Sequence, residues 1–167
     1  PDNPDVLWRS PRVYLTLAYI LDDPPLQRKF ARKAYQYATR TVQLAPSRPE
    51  GYYFQSASAG IRASMTRSPN LDIQKQVAEP ALKLQQINDK YARGGAMRIL
   101  GAMYASAPAW PVGVGDLDEA IEILEEAIKR FPSEPLNHFF LGEAYLRPGR
   151  SKSSEGTCRI DPTLSGS

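Results

Sequence analysis

One spacing pattern, written twice near the end of the chain, restricts its fold more than any other feature. Leu100-Gly101-x-x-Tyr104 is followed by Ala120, Leu124, Ala127 and Pro132, and Leu141-Gly142-x-x-Tyr145 then opens the series again. Each residue type has a packing reason. A glycine set among larger apolar residues lets a second helix come close, and alanines on that second helix permit the approach from their own side. Proline ends the pair, because it has no N–H to give and its ring crowds the preceding turn. A chain written this way is a succession of helix pairs, each burying its apolar face on its neighbours.

The pattern can be followed backwards. With Pro46, Asp89 and Pro132 as equivalent stops, the step is 43 residues each time. The same step carries Ala120, Leu124 and Ala127 onto Val77, Ala81 and Leu84, then onto Ala34, Ala38 and Thr41. Met97, Leu100 and Tyr104 map similarly onto Phe54, Ala57 and Ile61. The pattern resembles the tetratricopeptide repeat. That resemblance implies an all-α fold, a TPR-like right-handed helical-hairpin solenoid of three helix pairs plus a degenerate fourth. Repeats are expected at about 8–46, 50–89, 94–132 and, in part, 135–146, forming a solenoid over 1–146 with an irregular tail over 147–167. The step is longer by about nine than the ~34 residues usual for this repeat class. Each unit is therefore expected to carry an insertion between its two helices, at Leu21–Pro25, Met65–Asp72 and Ser106–Gly115. Such loops would project from one edge and present Pro24, Pro25, Pro69, Trp110 and Pro111 together.

Helix boundaries have chemical support. Asp23 is placed to cap a helix whose first position is Pro24, where a missing N–H costs nothing. Asp116, with Glu119 three residues on, forms an acidic version of the capping box. Ser10-Pro11, Pro49 and Pro135 suit helix starts. Pro80 interrupts a helical stretch from Asp72 to Asn88 and predicts a kink or a break there. From Pro148 to Cys158 the chain has too few apolar residues for the second helix of the fourth pair. The apolar face of residues 136–146 is thus expected to be covered by an irregular cap or by a neighbouring molecule.

Composition narrows the function classes. No stretch approaches the ~20 consecutive apolar residues of a membrane-spanning helix. With one cysteine (Cys158) and one histidine (His138), neither an internal disulfide framework nor a zinc site of the usual ligands is expected. No cofactor and no catalytic residue is assigned. His138 reads as a packing residue beside Phe139 and Phe140, with no nucleophile or carboxylate at partner spacing. Gly113-Val114-Gly115 lacks the lysine, the hydroxyl residue and the preceding strand of a phosphate loop. Residues 1–100 hold fifteen Lys and Arg against eight Asp and Glu, a balance of +7; residues 101–150 hold four against eight, a balance of −4. Opposite ends of this kind are either two solvated faces or the means of head-to-tail contact between copies. Nucleic acid is not an expected partner, because the basic residues are diluted by acids and form no run.

Repeat arrays of this kind build grooves for protein partners. Most aromatic residues at helical spacing belong to the inter-helix core, and Tyr37, Tyr52 and Tyr53 are the candidates for the groove, since tyrosine binds through an apolar ring and a polar tip. Trp110, followed by Pro111, either packs on its own repeat or serves a partner. A small apolar ligand held near Tyr104 and Trp110 is a further alternative. For self-assembly into a homo-oligomer, the candidates are Glu125 and Glu126 on an acidic helix, with Phe139 and Phe140 at the uncapped end.

The elements Ala107-Pro108-Ala109-Trp110-Pro111 and Gly115-Asp116-Leu117-Asp118-Glu119-Ala120, following Leu100-Gly101-Ala102-Met103-Tyr104, resemble the T component of tripartite ATP-independent periplasmic (TRAP) transporters, a family of bacterial repeat lipoproteins. The likeness spans about residues 90–146. It implies an exported protein, periplasmic or extracellular, which oligomerises, docks the transporter's solute-binding subunit and has no enzymatic activity. A chain opening on Pro1 is read as a trimmed product, with any lipid anchor belonging to the precursor.

Overall fold

Helices begin where local chemistry puts them. In the computed structural model, which describes residues 4–66 and 71–147, the Asp23 side chain accepts the Leu26 N–H at 3.0 Å and starts helix α3 (Pro24–Leu44). Asp116 accepts the Glu119 N–H at 3.0 Å and starts α7 (Leu117–Arg130). The return bond of a capping box is not made: the Asp116 N–H donates instead to the Tyr104 carbonyl, tying α7 back to the preceding helix. Prolines lead α4 (Pro49–Ser64) and α8 (Pro135–Tyr145). A single turn, α1 (Pro4–Leu7), runs into α2 (Arg9–Ile20), while α5 (Leu71–Asn88) and α6 (Gly95–Ser106) complete the set. The described residues are all-helical, apart from an isolated bridge between Ala109 and Gly115.

Each of these helices packs on the next, and α2, α4, α6 and α8 also touch one another in turn. Small residues make this possible. Ala31, Ala34, Ala38 and Thr41 form a fully buried stripe along α3, against Leu15 and Ala18 of α2 and Phe54, Ala57 and Ile61 of α4. Val77 and Ala81 of α5 pack with Ala59, Leu100 and Met103. At the α6–α7 contact, a Cβ on Gly101 would lie 2.5 Å from Leu124 Cγ, so the glycine is what admits the leucine.

Two sequence expectations are corrected. Residues 21–25 hold no inserted loop. Pro24 and Pro25 lie inside α3, which takes up the extra length by running to 21 residues against 14 for α7. An extended loop does join α6 to α7, and Pro69 lies outside the described residues. Of the kink or break expected at Pro80, the break is absent, since α5 runs through it. The buried Ser56 hydroxyl donates to the Val77 carbonyl at 2.6 Å and ties the turn before the proline to α4.

The α5–α6 turn takes positive φ at Ala92 (50°), Arg93 (51°) and Gly94 (83°), which is costly for the first two. Its carbonyls are held from elsewhere. The buried Arg98 guanidinium donates to the Ala92 carbonyl at 3.2 Å and to Asn137 Oδ1 at 2.7 Å. The Asn137 amide in turn donates to the carbonyls of Arg93 and Ala127. Asn137, not His138, is thus the buried residue at the start of α8. His138 is exposed, with Nε2 2.8 Å from the Pro132 carbonyl.

Candidate functional site

Two helical stripes face each other across the α2–α4 contact. Trp8, Arg12, Leu15 and Tyr19 recur at the spacing of one helix face, as do Glu50, Tyr53 and Phe54 on α4. Together with Tyr91, from the turn after α5, they line an open recess of about 530 Å³. Its rings meet at steep angles: Tyr53 lies edge-on to Tyr91 (centroids 5.4 Å apart, 60° between planes) and to Phe54 (5.2 Å, 76°). Burial pushes the Tyr91 hydroxyl up to about 12, and the charges of Glu50 and Tyr53 add to the effect. One carboxylate oxygen of Glu50, Oε2, is buried and accepts no hydrogen bond from the described residues.

The three tyrosines read from sequence as groove residues are placed apart. Only Tyr53 lines this recess. Tyr52, its neighbour in sequence and about 100° round the helix, lines a second recess of about 300 Å³ with Tyr35, Gln76, Glu79 and Lys83. Tyr37 stacks on Tyr14, with centroids 5.4 Å apart. Trp8, Tyr19 and Glu50 were not singled out by the sequence reading, although their spacing with Arg12 and Tyr53 was the available signal.

Trp110 is 86% exposed and so does not pack on its own repeat. Pro111 and Val112 beside it are exposed as well. The loop carrying them is nevertheless tied down. Buried Gln74 of α5 accepts the Val114 N–H at 2.9 Å, and the Gly115 N–H donates to the Pro108 carbonyl at 2.8 Å. Neither Tyr104 nor Trp110 lines either of the two recesses described above.

Among the described residues the last helix, α8, is covered on one side only, and the irregular tail expected after residue 147 lies outside them. Ala144 and Asn137 are buried, while Phe139 is 56% and Leu146 86% exposed. Phe140 is half-buried against the core formed by Ile121 and Leu124. Phe139, Gly142 and Leu146 follow i, i+3, i+7 spacing and so share a face. A Cβ on Gly142 would meet nothing within 4 Å among the described residues. Glu125 and Glu126 are exposed on α7; Glu125 accepts from the Tyr145 hydroxyl at 2.5 Å, and Glu126 pairs with Lys129 at 3.6 Å.

The described residues contain no group of three or more His, Cys, Asp or Glu side chains that could hold a metal ion, and no helix long and apolar enough to cross a membrane. Cys158 lies outside them. No model of a known protein family matches the chain, nor does any curated protein.

Proposed function

We propose that this chain is a non-catalytic scaffold of helical-hairpin repeats, a TPR-like solenoid, that binds protein partners through the Trp110 loop and the open face of α8. The contact of every helix with the next, and of α2, α4, α6 and α8 in turn, supports a repeat array. The observation that carries the binding role is the stripe Phe139–Gly142–Leu146. It repeats the chemistry of a helix-receiving face, yet Phe139 and the C-capping Leu146 are exposed, and a Cβ on Gly142 would meet nothing within 4 Å among the described residues. A pinned loop offering Trp110 adds a second anchor, and tryptophan is the residue type most often dominant in protein interfaces. The exported, transporter-associated setting implied by the resemblance belongs to the same proposal, with the solute-binding subunit as the partner.

A second reading has its own support. The acidic surface of α7, with Glu122, Glu125 and Glu126, lies next to this face, whereas Arg28, Lys29, Arg32 and Arg40 give α3 a basic surface. The α2–α3 end of a second copy would then cover α8, and the protein would self-assemble.

Photo-crosslinking separates these readings. A benzophenone amino acid is placed at position 110 or 139 of the full chain in its native host, with exposed position 85 of α5 as a surface control. One discrete foreign protein joined at 110 and 139, but not at 85, supports the scaffold. A product of twice the chain mass supports self-assembly. No product from 110 and 139 refutes both.

A further inference from the structure

The recess between α2 and α4 has no part in the binding surfaces just described, and its chemistry is specific. We propose that it is a binding site for an organic cation, a ligand presenting an ammonium or guanidinium group to Glu50 among the rings of Tyr53, Tyr91 and Tyr19.

The inference rests on three independent features of the site. The first is charge. Glu50 is the sole carboxylate among the residues lining the recess, and its Oε2 is buried without a donor. A desolvated carboxylate oxygen is costly unless a donor or a cation meets it. Arg12 lines the same recess and its charge reaches Tyr91, but no ion pair within 4 Å joins it to Glu50 among the described residues, so Oε2 has no donor of its own there.

The second feature is ring geometry. Tyr53 is set at steep angles to both Tyr91 and Phe54, and all three rings line the recess. Aromatic rings together with one carboxylate are the elements that hold quaternary and primary ammonium groups. The raised Tyr91 hydroxyl, partly due to the Glu50 charge, puts that negative charge beside the rings and keeps the phenol a neutral donor.

The third is rigidity. Tyr53 is wedged against α6: a Cβ on Gly95 would lie 2.8 Å from its Cε2. The ring wall is therefore held before a ligand arrives, which lowers the ordering cost of binding. Arg12, exposed at the rim, would repel a bare polycation and favour a ligand whose cationic group is accompanied by an anionic one.

Fluorescence titration tests this. In the full-length Trp110→Phe protein, Trp8 is the remaining tryptophan and lines the recess. Tetramethylammonium, lysine amide and a lysine-containing peptide are titrated, with acetate and neopentyl alcohol as controls. The expected result is saturable change with the cations alone, weakened about tenfold or more by Glu50→Gln. Glu79→Gln in the second recess should leave it unchanged. A thermal melt of Glu50→Gln verifies that the variant is folded. If the peptide binds far more tightly than lysine amide, the cation is a partner's side chain; comparable affinities identify a free small molecule. Absence of saturation with every cation, equal response to acetate, or a folded Glu50→Gln variant with unchanged affinity would overturn the proposal. None of these outcomes bears on crosslinking from positions 110 and 139, so the two proposals fail separately.

Discussion

Helices α6 and α8 carry the same five-residue signature, Leu-Gly-x-x-Tyr, and meet different fates. On α6, Gly101 is buried beneath Leu124, Leu100 is buried, and Ala105 packs toward the same core. On α8, a Cβ on Gly142 would meet nothing within 4 Å among the described residues, Leu141 is half-buried, and Leu146, the counterpart of Ala105, is 86% exposed. The motif therefore does not confer burial; the following helix does. A glycine in such a pair is a receptor for a neighbour's side chain, and where no neighbour is present it is merely a weak helix former. This is why a helix left uncovered at one end of such a packing is also where association is proposed.

The largest effect should come from removing the side chain that distinguishes the two helices. Leu124→Ala deletes a fully buried leucine and should cost about 2–5 kcal/mol in urea unfolding, whereas Leu146→Ala should change stability by less than about 0.5 kcal/mol. Next comes the fastening of α8 to α6. Asn137→Ala leaves the buried Arg98 guanidinium without its Oδ1 acceptor and frees the Ala92–Gly94 turn, for an expected loss of about 2–3 kcal/mol. Asp116→Ala removes the cap of α7, the helix that covers Gly101, and should cost about 1 kcal/mol. Smallest is the surface pair of Asp89 and Arg130. The hydrogen bond from Arg130 holds the Asp89 carboxyl below its usual range, so its contribution is present at neutral pH and is lost as pH falls through the folded value. Asp89→Asn should remove that part of the acid dependence of the melting temperature and leave the neutral value little changed.

Much of this architecture was legible because it is local. Asp23, Pro24, Pro49, Asp116 and Pro135 act on the turn that contains them, so helix starts could be read from neighbouring residues. Gly101 was legible because its partner Leu124 belongs to the next helix of the same spacing pattern. What escaped the reading depends on distant groups. Asn137 displaces His138 from the buried position because a guanidinium 39 residues earlier needs an acceptor. Pro80 sits in an unbroken helix, and the tie from the Ser56 hydroxyl to the Val77 carbonyl, 21 residues apart, is a contact that no local pattern announces. The extra length of the first helix pair went into α3, and nothing in the period distinguishes a longer helix from a longer loop. The recess was hidden for a related reason. Its residues form two ordinary amphipathic stripes, and only the α2–α4 contact brings Glu50 to the aromatic rings.

The most direct test of the comparison is to add one methyl group at each motif glycine and measure unfolding in urea. Gly101→Ala drives a Cβ into Leu124 and should destabilise by about 1–3 kcal/mol. Gly142→Ala meets no obstacle and should stabilise by roughly 0.5–1 kcal/mol through helix propensity alone. Opposite signs are what the account predicts. A loss at Gly142 comparable to that at Gly101 would mean that the α8 face is already occupied within the molecule, and would contradict it.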